Sequence, residues 1–153
     1  MRIGNICWAL GLAISLRAPT LAQEPPLKIE QGWVRAVPPP VSDSVVYMTL
    51  VNSSEQTLRL TGASTPIAES AVLMITTRKE LNGQEIVGMR MVDQLTIPAH
   101  GRLRLARDGD HLMLMKLKEH PKPGDKVKLT LHLESGWKEL TVELPVAVNK
   151  PWH

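Results

Sequence analysis

Beyond residue 31 the apolar residues of this chain recur with a period of two, in short runs cut by turn-forming residues. In Val127-Lys128-Leu129-Thr130-Leu131-His132-Leu133-Glu134 the valine and leucines fall on one side of an extended chain and the polar residues on the other. That is the pattern of a strand with one face on a core and one in water. Leu140-Thr141-Val142-Glu143-Leu144 repeats it after Ser135-Gly136, which predicts a hairpin. Strands are predicted over 32–37, 44–52, 57–63, 70–77, 84–91, 102–105, 111–118, 126–134 and 138–144. Pro38-Pro39-Pro40, Asn82-Gly83, Asp108-Gly109-Asp110 and Pro121-Lys122-Pro123-Gly124 supply the turns between them. No segment carries a convincing helical period. Many short strands at regular spacing predict an all-β domain, a Greek-key sandwich or barrel.

The start of the chain reads differently. Arg2, the apolar run from Ile6 to Leu16 and the small-residue site Thr20-Leu21-Ala22 have the form of a secretory signal peptide over 1–22, cleaved near Ala22. The run is too short to span a bilayer, and no later segment approaches that length, so the chain is not expected to be membrane-spanning. Residues 23–30, with Pro25-Pro26, read as an N-terminal linker, 31–146 as the folded domain and 147–153 as a tail. The single cysteine, Cys7, lies in the leader, too early and too deep in the apolar run for a lipoprotein attachment site. A mature chain without cysteine excludes thiol nucleophiles, cysteine-ligated zinc and a blue-copper centre. The expected location is the periplasm. Removal of Arg2 and Arg17 leaves sixteen basic against fifteen acidic residues, so the charge falls from +3 to +1 and makes no case for nucleic acid. The lysines within 116–128 read as a solvated face, with a docking patch for an acidic partner as the alternative.

Five of the seven methionines lie between residues 74 and 115. In His111-Leu112-Met113-Leu114-Met115, strand geometry places His111, Met113 and Met115 on one face and the two leucines on the other. Methionines alternating along a strand are, taken alone, more often core filling than ligands. A histidine entering the same face changes the weighing, because an imidazole in an apolar wall needs a partner. Neutral thioethers beside one imidazole are a soft donor set that selects Cu(I) over Zn(II), Mg(II) or Ca(II). Met91 and Met115 read as neighbours of such a site or as core, and Met48 as packing. His100, His120, His132 and His153 read as surface residues. No Ser/His/Asp set, carboxylate pair or phosphate loop is visible, and the protein is not expected to be an enzyme.

From Trp33 to Pro145 the chain resembles the PCuAC-type periplasmic copper chaperones. The residues that carry the resemblance are Gly32-Trp33-Val34-Arg35-Ala36, Tyr47-Met48-Thr49-Leu50-Val51-Asn52, Leu60-Thr61-Gly62-Ala63, Gly88-Met89-Arg90-Met91, Ile97-Pro98-Ala99 and His111-Leu112-Met113-Leu114-Met115-Lys116-Leu117. The resemblance implies a cupredoxin-like fold and a metal site for Cu(I). The family motif places a methionine twenty-one residues before His-x-Met, and residues 90–110 separate Met89 from His111 by that number. Met89, His111 and Met113 are thereby implied as ligands. The usual first histidine falls on Met74, and fourteen residues rather than the family's ten separate it from Met89. An enlarged turn at Asn82-Gly83 would absorb the difference.

The resemblance further implies a copper chaperone that delivers its ion to an apo copper-acceptor protein. Candidates are cytochrome c oxidase subunit II or a thioredoxin-like assembly factor. The protein itself is expected to be a monomer. The alternatives are a periplasmic copper scavenging or storage protein, and a non-metal β-sandwich interaction module with a methionine-rich core.

Overall fold

The computed structural model describes residues 26–134 and 138–149. These form ten strands and no helix: β1 (Leu27–Arg35), β2 (Ser44–Asn52), β3 (Leu58–Ser64), β4 (Ala68–Leu81), β5 (Gln84–Val92), β6 (Leu95–Ile97), β7 (Arg102–Leu105), β8 (His111–Leu117), β9 (Lys126–Leu133) and β10 (Glu139–Ala147). The expected all-β, cupredoxin-like architecture is what the chain adopts. The leader read over 1–22, Cys7, the Ser135-Gly136 turn and His153 lie outside the described residues.

The sheet runs β5-β4-β8-β2-β1-β10-β9-β3-β6, and an extra pairing of Ala63 in β3 with Ala71 in β4 closes its central strands into a barrel. Every pairing is antiparallel except β1 with β10, where Val34 meets Val146. Two strands are shared end to end. One edge of β2 takes β8 against Ser44, Val45 and Val46, and then β7 against residues 48–51. The turn of 106–110 buckles out between them. Likewise β4 has β8 along one edge, and along the other first β3 at Ala71 and then β5 from Leu73 onward.

The inward face of these strands is the core. Val46, Met48, Leu50, Leu60, Leu73, Ile97, Leu105, Leu112, Leu114, Leu129 and Leu131 are sealed from solvent. Met48 is packing, as its strand position implies. At the seam the buried Asn52 amide donates to the carbonyls of Gln56 and Pro98, at 2.7 and 3.1 Å, and so pins the end of β2 to the loop after β6.

Several boundaries differ from the sequence expectation, and β10 runs on to Ala147 rather than ending at Leu144. Residues 27–30, read as linker, are the first part of β1 and pair with β2 from Leu27↔Asn52 onward. A bulge between Glu30 and Trp33, with Gln31 at φ 53°, breaks the alternation there and hides the strand from a period-two reading. β6 is only three residues long, too short to show a period. β4 runs on to Leu81 through the polar Thr77-Arg78-Lys79-Glu80, and its partner β5 starts at once after Asn82-Gly83. Both turn residues take positive φ, 54° and 76°, as a two-residue hairpin loop requires.

Candidate metal centre

Cross-strand pairs share a face of a sheet, so the register decides which side chains can meet. Met74 in β4 stands directly opposite Met91 in β5 on one side and His111 in β8 on the other. Two residues further toward the hairpin turn, Thr76 stands opposite Met89; two residues the other way, Val72 stands opposite Met113, and then Ser70 opposite Met115. All five methionines and His111 therefore lie on one face, and it is the outward one, because Leu73, Leu112 and Leu114 take the core side. The face-sharing of His111, Met113 and Met115 expected from the sequence is what the strands produce.

The register also ranks the methionines. Met91, Met74 and His111 form a single row across three strands. From the usual spacings of a flat sheet, Met91 and Met113 have Cα atoms about 12 Å apart, whereas Met89 and Met113 are about 16 Å apart. The register thus sets Met91 nearer to Met113 than Met89 is. In this register Met74 stands between Met91 and His111, with Met113 two residues along β8 and Met89 two residues nearer the hairpin turn. A signal for this was present: a two-residue Asn82-Gly83 turn pairs Leu81 with Gln84, and stepping back from that pair matches Met74 with Met91.

His111 is 5% exposed, while Met74 and Met113 are half-buried and Met89 and Met91 are 62% and 58% exposed. The site is therefore a buried imidazole at the foot of an open thioether surface. The His111 ring is oriented by the turn before it. Its Nδ1 lies 3.1 Å from the Gly109 carbonyl. A carbonyl only accepts, so Nδ1 carries the proton, and the lone pair of the neutral ring is at Nε2. Among the described residues no buried side-chain nitrogen or oxygen is left unsatisfied. Nε2 is thus the ring nitrogen with a lone pair to offer a metal.

The turn itself is braced against β4. Thr76 donates from Oγ1 to the Gly109 carbonyl at 2.8 Å and from its backbone N–H to Asp110 Oδ1 at 3.3 Å, and Arg78 reaches the Asp108 carbonyl at 3.3 Å. Arg78 also pairs with Glu85 across the hairpin at 2.8 Å. That hydrogen bond, and then the Glu85 charge, hold the guanidinium above its ordinary pKa. On the other side of His111, the register pairing Val46 with Leu112 runs on toward Tyr47. Tyr47 packs against Trp33 with ring centroids 5.1 Å apart. Lys116 and Lys118 follow at the end of β8 away from His111, so the basic stretch is not part of this site. His100 and His120 lie in turns, the latter against the Val41 carbonyl at 2.7 Å, and His132 lies beside Glu139 at 3.5 Å.

The "Putative lipoprotein LpqE-like" family model matches residues 27–146. The chain belongs to the LpqE-like family. A curated relative, "Putative lipoprotein Lxx21020" of Leifsonia xyli subsp. xyli, is 30% identical over 131 residues, 82% of this chain and 75% of that protein. Among solved structures, Cu(I)-DR1885 from Deinococcus radiodurans is 46% identical with a TM-score of 0.67, over 84% of this chain and 83% of that one. Apo-DR1885 is 42% identical with a TM-score of 0.61, over 96% and 97%. The copper-bound PCuAC domain from PmoF2, at 23% identity, TM-score 0.66 and coverage of 82% and 95%, shares the fold. The PCuAC-type family resemblance read from the sequence is therefore correct.

Proposed function

We propose that this LpqE-like protein is an exported copper chaperone that binds one Cu(I) on the outward face of β5-β4-β8 and surrenders it to an acceptor. The observation that carries the proposal is the row Met91–Met74–His111, with Met113 beside it, on a face turned away from the core. The likeness to a protein solved in its Cu(I) form adds support. His111 supplies one nitrogen through Nε2, and Met74, Met91 and Met113 supply three thioethers. Met89 stands just outside that set. Such donors suit Cu(I) and suit Cu(II) or Zn(II) poorly.

Exposure of Met91 and Met89 favours hand-off over storage. A partner's thiolate or imidazole reaches the ion from the open side while His111 and Met74 still hold it, and the thioethers then leave one at a time. Thioether sulfur takes no proton, so these donors stay available in an acidified compartment. The family supplies the expected destination, a copper centre of cytochrome c oxidase, reached directly or through a thioredoxin-like factor. The protein acts as a carrier, with no chemical step of its own. The described residues contain no helix long and apolar enough to cross a membrane.

The test is X-ray absorption on protein loaded with Cu(I) under anaerobic conditions. The expected result is one metal per chain with three sulfur donors and one nitrogen. A sphere built mainly of nitrogen or oxygen donors, or an unloaded chain, overturns the proposal.

A further inference from the structure

We propose that Thr76 is a positioning residue, which holds the His111 ring in the form that offers Nε2 to the metal. The Gly109 carbonyl receives two hydrogen bonds, from Thr76 Oγ1 at 2.8 Å and from His111 Nδ1 at 3.1 Å. A carbonyl oxygen has two lone pairs, and here both are used. The Thr76 backbone N–H reaches Asp110 Oδ1 at 3.3 Å, so one residue of β4 grips both residues that lead into His111. The turn is also closed on itself, by Ala106 N–H to the Asp110 carbonyl at 2.9 Å and Gly109 N–H to the Ala106 carbonyl at 3.1 Å. The Gly109 carbonyl is therefore fixed from both sides before the ring bonds to it.

The consequence is chemical. A neutral imidazole has its proton on Nδ1 or Nε2, and the partner of one nitrogen settles which. With the carbonyl fixed, the proton stays on Nδ1. With the carbonyl free to swing, Nε2–H forms compete and block the nitrogen that would bind the metal. Thr76 also stands opposite Met89 in the register, so the hairpin that carries the exposed methionines and the turn that orients the histidine are joined at this residue. A valine would suit this strand position equally well by shape and propensity. The hydroxyl is what the turn needs.

The inference rests on the copper reading above, but its principal readout needs no copper. In metal-free, 15N-labelled full-length protein, long-range proton–nitrogen spectra should show the His111 ring of the unmodified chain protonated at Nδ1. Thr76→Val should give a mixture of the two neutral forms, and Thr76→Ser should restore the original spectrum. In competition for Cu(I) against a Cu(I) chelator, Thr76→Val should weaken binding about tenfold, in the range for loss of an outer partner of a metal ligand, and Thr76→Ser about threefold at most. An unmodified chain with the proton on Nε2 overturns the inference, and this holds even where Thr76→Val does not fold. So does a folded Thr76→Val chain with an unchanged His111 spectrum. A chain that ignores Cu(I) yet shows the spectral change supports the Thr76–His111 coupling while removing the copper reading.

Discussion

The barrel has two long antiparallel hairpins, and they are built to opposite ends. In β9–β10, Val127, Leu129, Leu131 and Leu133 are all buried, alternating with exposed or half-buried residues along β9. In β4–β5, no residue of β5 is buried, although nine residue pairs join it to β4. The first hairpin buries a full row of side chains; the second buries none along β5 and carries Met89 and Met91 into solvent. Apolar side chains left outside on an ordered strand have some use other than packing. The difference separates the part of the molecule that makes the fold from the part that serves a ligand.

The largest effect that tests this division is on stability. Leu131→Ala removes a fully buried side chain from the wall of the barrel and should cost about 2–5 kcal/mol. Met91→Leu, on an exposed strand, should stay within about 0.5 kcal/mol of the unmodified protein. Urea denaturation of the two variants measures both values. Equal losses would mean that β5 is part of the core after all.

Copper affinity should invert that order. Met91→Leu should lose about 10–100-fold in competition with a Cu(I) chelator, roughly 1.4–2.8 kcal/mol, while Leu131→Ala that remains folded should lose little. Met89→Leu should lose about threefold or less, because the register sets it two residues farther than Met91 from the Met74–His111 row. A large loss in Met89→Leu with none in Met91→Leu would restore the ligand set that counting along the chain implies.

That contrast marks what was legible in the sequence. Strands such as β9 declared themselves because they have one dry face and one wetter face, and a period of two records that directly. The same rule placed His111 and Met113 together. It failed for Leu27–Glu30, where the bulge at Gln31 interrupts the alternation, and for Leu95–Ile97, which is too short to have a period. The choice between Met89 and Met91 is of another kind. Counting from a methionine to His111 passes through β6, the turn at Pro98-Ala99-His100-Gly101 and β7, and none of these fixes how far β5 is slid along β4. The Asn82-Gly83 turn does fix it, because a two-residue loop allows one register. The information was local, two residues from the hairpin tip, rather than in the long spacing. The partnership of Thr76 with Gly109 had no sequence signal, since it links positions 33 residues apart through a backbone carbonyl.

A smaller effect concerns pH. Only one of the proposed donors competes with protons, so log K for Cu(I) should fall by no more than one for each unit of falling pH. Chelator competition repeated across mildly acidic pH measures the slope. A slope near two would bring in a second titrating donor, and the thioether surface would then be a neighbour of the site rather than its substance.

The smallest effect belongs to the charges at the hairpin tip. Arg78 and Glu85 are 2.8 Å apart, but their side chains are 53% and 59% exposed. Screened in this way, the pair should add nothing measurable to global stability, and Arg78→Ala should leave the urea midpoint unchanged. Because its pKa is raised, the guanidinium's contribution is present below its ordinary value and is lost only as pH rises past the raised one, far into the alkaline range. Any pH dependence between 5 and 8 must therefore come from elsewhere. The local effect should differ from the global one. Arg78 also holds the Asp108 carbonyl at 3.3 Å, so its loss should speed amide exchange in the outer half of β4–β5 and in the 106–110 turn together. Faster exchange in the hairpin alone would show that the turn is braced by Thr76 without help from the tip.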